Sequence, residues 1–366
     1  MHLSPKIKRN LIRILPFGLI WLITGSVFLL SEAIVTGNQN LSPDSSITMS
    51  LPVFIFASAT STIVGLLVGL IELVVFEKRF ASFSFARKVV AKFFIYMALM
   101  LIIMVIAFPL ASSIELNKSP FDPEIWRKTA NFFQSLIFVN TVVQISFQLI
   151  LCLLYAAISE NLGYHVLLNF FTGRYHHPKK EQRIFMFLDM KSSTTIAEQL
   201  GHDRYFNLLH DYYEIMSDPI INTLGEVYQY IGDEVVITWD SDKGLANNNC
   251  IKCFEKIKYS LKHHAQLFEK KFGLVPDFKA GMHLGEVTTG EIGALKKEVI
   301  YTGDVLNTTA RVQGLCKEYQ TDLIITEELL GELAHANEWK HQFIGELSLR
   351  GKSQSMKLHS VTFGGN

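Results

Sequence analysis

The chain has 366 residues, enough for two or three domains, with 34 basic and 34 acidic residues. The zero net charge argues against a nucleic-acid partner, and four cysteines are too few to form a disulfide scaffold. Hydrophobic residues make up 49% of the chain, and nearly all of the long apolar runs lie in roughly its first 160 residues. The composition therefore predicts an amino-terminal membrane domain followed by an ordinary globular domain.

Four apolar stretches are each long enough to cross a bilayer as a helix, which takes about 20 residues. Basic residues precede the first stretch, but no clear small-residue cleavage site follows it, so we interpret it as an uncleaved anchor. The predicted spans are Ile14–Ile34, Leu51–Phe76, Val89–Leu110 and Phe133–Ile158.

The loops predict the orientation of these spans. The amino terminus is basic and the second loop contains Arg79, Arg87 and Lys88, whereas the first loop, Thr36–Ser50, contains no Lys or Arg. Because basic loops stay in the cytosol, both termini and the globular domain are predicted to be cytoplasmic, in a multi-pass protein of the cell membrane.

Polar residues inside the predicted spans admit two interpretations. Asn140, Gln144 and Gln148 recur every fourth residue and share one face of the fourth helix, and Glu72 lies near the cytosolic end of the second. Such residues either form hydrogen bonds between packed helices or sense a ligand or signal. The sequence leaves both interpretations open.

A polar, basic segment separates the two halves of the chain. It breaks at Gly173 and Pro178 and contains His176 and His177, which indicate a solvated linker more readily than a metal clip. The predicted domains are a membrane domain of four transmembrane helices (1–158), a helical coupling linker (159–181) and a catalytic domain (182–366).

The second half is predicted to be an α/β domain with a ferredoxin-like arrangement, because strands and helices alternate in the order strand-helix-strand-strand-helix-strand. Cys250 and Cys253 fall on one predicted helix, where a reduced, partly buried pair is expected and a zinc site is the alternative. The predicted strands are Arg183–Asp189, Gly225–Ile231, Glu234–Trp239, Phe278–Leu284, Glu286–Thr289, Phe343–Leu349 and Met356–Phe363. The predicted helices run from Thr194 to Met216, short of Pro219, from Lys243 to Phe272 and from Gly303 to Glu318.

Two carboxylates come at the ends of adjacent predicted strands. Asp189 ends the first strand, and Asp233 occupies a tight hairpin turn with Gly232. In a split βαβ layout the first strand lies beside the hairpin, so we expect the two side chains to meet. A pair of carboxylates at a strand end suits Mg²⁺, with phosphate oxygens of a substrate completing the octahedron. Two ions there could activate a hydroxyl and stabilise a leaving pyrophosphate.

Asn307 and Arg311 add a second polar pair, four residues apart at the start of a predicted helix and therefore on one face. Arg311 can stabilise phosphate oxygens as charge develops, and Asn307 can hold a sugar oxygen. Gly303 and the helix amino terminus can contribute backbone donors.

The strings FLDMKSSTTIAEQLG, YQYIGDEVVITW and YTGDVLNTTARVQGLC, in this order, resemble the catalytic domain of class III adenylyl and guanylyl cyclases. The resemblance covers Arg183 to about Phe363. It implies that Asp189 and Asp233 bind two Mg²⁺ or Mn²⁺ ions, assisted by the Met190 carbonyl, and that Asn307 and Arg311 stabilise the transition state. Arg350 falls at the triphosphate-binding position.

The family's activity implies conversion of ATP to 3′,5′-cyclic AMP and pyrophosphate for intracellular signalling. Because every role occurs in one chain, the resemblance also implies a head-to-tail homodimer with two composite sites. Two departures leave the base open. Gln229 stands where adenylyl cyclases carry Lys and guanylyl cyclases Glu, and Ile300, at the partnering purine position, can neither donate nor accept a hydrogen bond. Ser193 replaces the usual aromatic residue after the first metal-binding aspartate.

Three alternatives remain at this stage. A guanylyl cyclase would make cyclic GMP, and Gln229 is compatible with that. IGDEV at Ile231–Val235 resembles the GGDEF hairpin of diguanylate cyclases, but that class lacks a helix equivalent to the one carrying Asn307 and Arg311, and the string FLDMKSST fits it poorly. An inactive nucleotide-binding receptor module is disfavoured because both aspartates, Asn307 and Arg311 are present.

Overall fold

The computed structural model of this chain describes residues 4–35, 37, 42–76, 79–80, 83–162, 167, 169, 172–334, 339–348 and 355–364. Its contacts divide the chain into two compact units, one from Lys8 to Leu168 and one from Asn169 to Asn366, to which Met1–Ile7 also belong. The predicted fold class is confirmed, since apolar helices form the first unit and a mixed sheet with helices forms the second.

The first unit is all helical in its described part. All four predicted apolar stretches are helices long and apolar enough to cross a membrane, and the first and third extend beyond the predicted spans at both ends. The second helix continues into a π-helical segment, Glu72–Phe76. The helices are α1 (Pro5–Val35), α2 (Leu51–Ile71), α3 (Phe85–Leu116), α4 (Pro123–Phe133) and α5 (Leu136–Leu162).

Glycines allow α1 and α2 to approach closely. A Cβ atom at Gly65 would lie 2.6 Å from the Phe17 carbonyl oxygen and 2.8 Å from Trp21 Cβ, and one at Gly69 would lie 2.9 Å from the Phe17 ring. Both aromatic side chains are buried. Small residues at helix contacts of this kind are typical of membrane bundles, where packing rather than water exclusion holds helices together.

Glu72 and Lys92 form a buried ion pair between the π-helical segment and α3, each residue being 6% exposed. The Tyr96 hydroxyl donates a second hydrogen bond to Glu72 at 2.9 Å. Along α5, Gln148 is buried and Asn140 is exposed, so the predicted polar face is only partly used for packing within the chain.

The short amphipathic helix α4 has no counterpart in the sequence analysis. Asp122 caps its first turn by accepting a hydrogen bond from the Glu124 amide at 2.8 Å, and Pro123 occupies the first position. Its own residues Ile125 and Phe132 form part of its buried face. At eleven residues, α4 is too short to cross a bilayer, which takes about 20 residues.

The second unit contains eight strands in its described part, all in one sheet. The strands are β1 (Lys179–Met190), β2 (Glu226–Ile231), β3 (Glu234–Asp240), β4 (Phe278–Ile292), β5 (Glu298–Thr302), β6 (Leu323–Thr326), β7 (Lys340–Ser348) and β8 (Ser355–Thr362). The helices are α6 (Ser193–Leu200), α7 (His202–Asn222), α8 (Ser241–Leu245), α9 (Asn249–His263), α10 (Ala265–Phe272), α11 (Asp304–Gly314) and α12 (Glu327–Glu332).

The strand order is β2-β3-β1-β4-β6-β8-β7, with β5 paired to β4. The β4–β6 pair is parallel and the others are antiparallel, so the sheet is mixed. One face of the sheet packs against α7 and α9 in the main core. On the opposite face, Phe185, Phe187, Val236 and Val287 pack against Val305 of α11.

Several predicted boundaries were wrong. The helix predicted from Thr194 to Met216 is divided at Gly201, where φ is +73°, and α7 continues through Pro219 to Asn222. Ile220 is buried on the same stripe as Met216, and this burial outweighs the hydrogen bond that proline removes.

The long helix predicted over Lys243–Phe272 is likewise divided. Asn247 and Asn248 adopt left-handed φ values of 54° and 55°, which asparagine tolerates better than most residues. The two strands predicted on either side of Gly285 form one continuous strand, β4. Gly285 is needed there because a Cβ atom would lie 2.6 Å from Val305 of α11.

Candidate active site

The hairpin between β2 and β3 brings Asp233 to Asp189, as predicted. Ile231 pairs with Glu234, so Gly232 and Asp233 are the two central residues of the turn. Gly232 has φ +64° while Asp233 has no positive φ, the combination typical of a type II′ turn. Strand β1 lies beside β3 with Leu188 opposite Val235, and Asp189 therefore emerges next to the turn.

The neighbouring Asp233 carboxyl group perturbs Asp189. Burial raises the pKa of Asp189, and hydrogen bonding and charge repulsion from Asp233 raise it further, while the Lys279 ammonium opposes the change. Burial and the charges of both aspartates also raise the pKa of Glu234. One Asp233 oxygen, Oδ2, is buried with no hydrogen-bond partner in the described part of the chain. The arrangement concentrates negative charge with little local compensation.

Three residues that support the aspartates were not predicted from the sequence. The Gln313 amide of α11 donates to Asp189 Oδ2 at 3.2 Å, and Lys279 Nζ lies 3.4 Å from the same oxygen. The Tyr213 hydroxyl of α7 donates to the Gly232 carbonyl at 2.8 Å and so holds the turn that carries Asp233. Of these three residues, only Gln313 could have been found from the sequence, because it is a polar residue on the face of the helix that is otherwise apolar. The sequence gives no comparable indication for Lys279 or Tyr213.

Asn307 and Arg311 share one face of α11, as predicted, and both are exposed. Within the described residues neither side chain forms a hydrogen bond or ion pair, whether with the aspartates of its own chain or with any other group. The buried face of α11 carries Val305 and Val312 instead. Within one chain, Asp189 and Asp233 thus lie together, but Asn307 and Arg311 do not join them.

The remaining predicted site residues are spread over the domain. Met190 is buried at the end of β1 opposite Phe278. Gln229 is exposed on the edge strand β2, and Ile300 is half-buried on β5. Strands β3, β1 and β4 lie between β2 and β5, so one chain alone does not place both side chains against one base. Arg350 lies outside the described residues.

Ser193, the departure noted after the first aspartate, begins α6 immediately after Ser192, which has a left-handed φ of 57°. The Tyr205 hydroxyl forms a hydrogen bond with Ser193. Burial raises the pKa of Tyr205, and the Asp233 charge adds to this effect, so this phenol stays neutral beside the carboxylates.

Residues 175–362, just over half of the chain, match the family described as the adenylate and guanylate cyclase catalytic domain. The chain belongs to this family. Adenylate cyclase 2 of Rhizobium meliloti (strain 1021) is 35% identical over 207 residues, which are 57% of this chain and 57% of that protein. Adenylate cyclase 1 of the same organism is 25% identical over 183 residues, 48% of this chain and 27% of that protein.

A solved structure of a bacterial light-regulated adenylyl cyclase is similar in fold. It superimposes with a TM-score of 0.50 at 20% identity, covering 63% of this chain and 64% of that chain. The present chain spans 57% or less of the length of these two Rhizobium relatives.

Proposed function

We propose that this protein is a membrane-anchored adenylate cyclase that converts ATP to 3′,5′-cyclic AMP and pyrophosphate for intracellular signalling. The observation that carries the proposal is the pair of mutually repelling, half-buried aspartates beneath a helix that presents Asn307 and Arg311 outward. The names of the relatives in Rhizobium favour adenine over guanine. Gln229 supports the second candidate, a guanylyl cyclase, because an amide accepts either base.

The aspartate pair fits divalent cations. Asp189 and Asp233 offer hard oxygen ligands, which Mg²⁺ and Mn²⁺ prefer, and the Met190 carbonyl lies next in the chain. The buried Asp233 Oδ2 has no partner in the described part of the chain, so a cation would satisfy it. Bound there, two divalent ions would supply the positive charge that activates the ribose 3′-hydroxyl and neutralises the departing pyrophosphate.

The side chains of this chain would then carry the positioning. In the proposed reaction the 3′-oxygen attacks the α-phosphorus, the bond to the β-phosphate oxygen breaks, and pyrophosphate leaves while the hydroxyl proton is released. Arg311 stabilises the charge that develops on the phosphoryl oxygens, and Asn307 holds a sugar oxygen in line. Arg350 would hold the triphosphate. Gln229 and Ile300 would contact the base.

The exposed positions of Asn307 and Arg311 support a homodimer with composite sites. Each site would combine Asp189 and Asp233 of one protomer with Asn307 and Arg311 of its partner, in a head-to-tail arrangement. This arrangement explains why one chain carries every residue type the reaction needs yet brings only two of them together.

The four long apolar helices support membrane anchoring, and the basic loops support cytoplasmic termini and a cytoplasmic catalytic domain. We propose residues 1–158 as the membrane domain, 159–181 as the linker and 182–366 as the catalytic domain. Reporter fusions at the first loop and at each terminus test the orientation. Cytoplasmic reporter activity at the first loop contradicts it.

The proposed activity is tested with the full chain in detergent, supplied with Mg²⁺ or Mn²⁺ and either ATP or GTP, with products separated chromatographically. We expect cyclic AMP and pyrophosphate in equal amounts, and none after chelation of the metal. Cyclic GMP as the main product supports the second candidate instead. The absence of any cyclic product with either nucleotide and either metal contradicts both.

A further inference from the structure

Helix α11 has two polar faces with different surroundings. Asn307 and Arg311 lie on its exposed face. Gln313 lies about 200° further around the helix from Arg311, since each residue advances about 100°, and is only 7% exposed. Its neighbours on the buried face, Val305 and Val312, are apolar. A buried amide among apolar residues requires a polar partner, because an unsatisfied polar group is costly.

That partner is Asp189. The Gln313 amide nitrogen donates to Asp189 Oδ2 at 3.2 Å across a sequence separation of 124 residues. The Gln313 and Lys279 contacts both fall on Oδ2, so neither of them occupies Oδ1. A neutral amide donor also avoids adding a third negative charge beside Asp233.

The contact depends on an unusually close approach of α11 to the sheet. A Cβ atom at Gly281 would lie 2.4 Å from the Gln313 backbone nitrogen and 2.7 Å from its Cα atom, so only glycine fits there. Gly281 pairs with Phe187, two residues before Asp189 on β1. The helix backbone is therefore seated against the strand next to Asp189, and the Gln313 side chain has little freedom to point elsewhere.

We propose that Gln313 is a positioning residue that fixes the carboxylate of Asp189 for cation binding in its own chain. The proposal rests on the proposed function. It assigns to one helix two tasks in two different sites of the homodimer, because Gln313 serves the aspartates of its own protomer while Asn307 and Arg311 serve those of its partner.

The first test measures Mn²⁺ binding directly, by the electron paramagnetic resonance signal of free Mn²⁺, on the full chain in detergent without nucleotide. Gln313→Met keeps the length and helix propensity of the side chain and deletes the amide. We expect the dissociation constant for Mn²⁺ to rise about 10-fold, as for other residues that orient metal ligands. Thr308→Val is the matched control, since Thr308 is buried on the same helix and, within the described residues, forms no hydrogen bond with Asp189. We expect wild-type affinity there.

The second test separates an effect on Asp189 from a general disturbance of α11. A heterodimer of an Arg311→Ala chain and an Asp233→Ala chain has one intact site, whose aspartates come from the Arg311→Ala chain. Gln313→Met is placed in one chain or the other. We expect a higher Mn²⁺ activation constant, with an unchanged KM for nucleotide at saturating metal, when it lies in the chain that supplies the aspartates. A much smaller effect is expected in the other chain.

The outcomes separate the two levels of the proposal. If wild type binds Mn²⁺ and Gln313→Met binds it equally well, the positioning role is wrong and the metal site stands. Equal losses in Gln313→Met and Thr308→Val, or in both placements within the heterodimer, also contradict the positioning role. If wild type binds no more Mn²⁺ than Asp233→Ala, the metal site itself is wrong, and the role of Gln313 falls with it.

Discussion

Each unit of this protein contains a pair of charged side chains that are wholly or partly buried, and the charges are opposite in the first pair and alike in the second. In the first unit Glu72 faces Lys92, and the Tyr96 hydroxyl completes the hydrogen bonding. In the second unit Asp189 faces Asp233, and Lys279 and Gln313 touch only one of their four oxygens. The charges of the first pair neutralise each other within the chain, whereas the negative charges of the second pair are not balanced by an equal number of neighbouring positive charges.

The difference indicates what each pair is for. A buried pair of opposite charges needs nothing further and contributes chiefly by not being broken, since either partner alone would be an isolated buried charge. A pair of like charges destabilises the fold unless something positive is bound, and burial together with this repulsion raises the pKa of Asp189. Pairs of like charges occur mostly at functional sites. We therefore infer that the aspartates, and not the buried ion pair, form the active site.

The largest expected effect comes from Asp189→Ala or Asp233→Ala. We expect cyclase activity to fall at least about 1,000-fold, equivalent to roughly 4 kcal/mol, because each aspartate supplies a carboxylate ligand for the metal ions. The fold and membrane insertion should persist, since removing one of two repelling charges relieves repulsion. Activity of the purified variants, with thermal unfolding measured in parallel, checks both expectations.

The metal dependence of stability sharpens this prediction. A ligand that binds only the folded state raises its stability, so Mn²⁺ should raise the melting temperature of wild type and leave that of Asp233→Ala unchanged. A variant with wild-type turnover, or one that Mn²⁺ stabilises as much as wild type, contradicts the assignment of the aspartates as metal ligands.

In the first unit, by contrast, removing one member of the Glu72–Lys92 ion pair should destabilise the fold. Glu72→Ala leaves Lys92 buried without its carboxylate, and we expect a loss of about 3–5 kcal/mol in the free energy of unfolding. Replacing both residues by Met should recover most of it. Thermal unfolding of the full chain in detergent measures both variants.

Lys118→Ala provides the control for this prediction. Lys118 pairs with Glu124 where both side chains are about two-fifths exposed, so solvent screens the pair and its loss should be far less destabilising than that of Glu72. If Glu72→Ala is no more destabilising than Lys118→Ala, the buried pair is not the structural element inferred here.

The same contrast shows what sequence could reveal. Asp189 and Asp233 were predicted to meet because a strand end and a two-residue turn are local signals and the topology places them side by side. Gln313 was not linked to Asp189, because their contact depends on how closely α11 approaches Gly281 across the sheet. The α7 boundary failed for a similar reason, since burial of Ile220 overrides the local effect of Pro219.

The assembly prediction has a smaller expected effect. Heterodimers of Asp233→Ala and Arg311→Ala chains, captured through two different affinity tags, should show roughly half of the wild-type turnover per dimer, because one of the two composite sites is intact. Each variant alone should be inactive. If purified heterodimers show no activity, the sites lie within single chains, and the exposed face of α11 has another use.

The smallest expected effect concerns the choice of base. Adenine presents N6 as donor and N1 as acceptor on its Watson–Crick edge, whereas guanine presents O6 as acceptor and N1 as donor. The Gln229 amide can donate and accept, and in this structure it is exposed on an edge strand beside a bulge between Val227 and Gln229, where it has room to rotate. A lysine at this position could only donate.

Strong rejection of a competing base requires polar groups that stay unpaired when the wrong base binds, and a rotatable amide avoids that penalty. Ile300 offers no second polar contact. We therefore expect the ratio of the kcat/KM values for ATP and GTP in wild type to correspond to a difference of only about 1–3 kcal/mol in transition-state free energy. This is the scale of one imperfect hydrogen bond. Gln229→Lys should widen the preference for ATP, and Val227→Thr, exposed on the same strand, should leave the ratio unchanged. A wild-type preference for ATP above about 10⁴-fold, roughly 5.5 kcal/mol, contradicts this prediction, because the base would then be selected by residues other than Gln229.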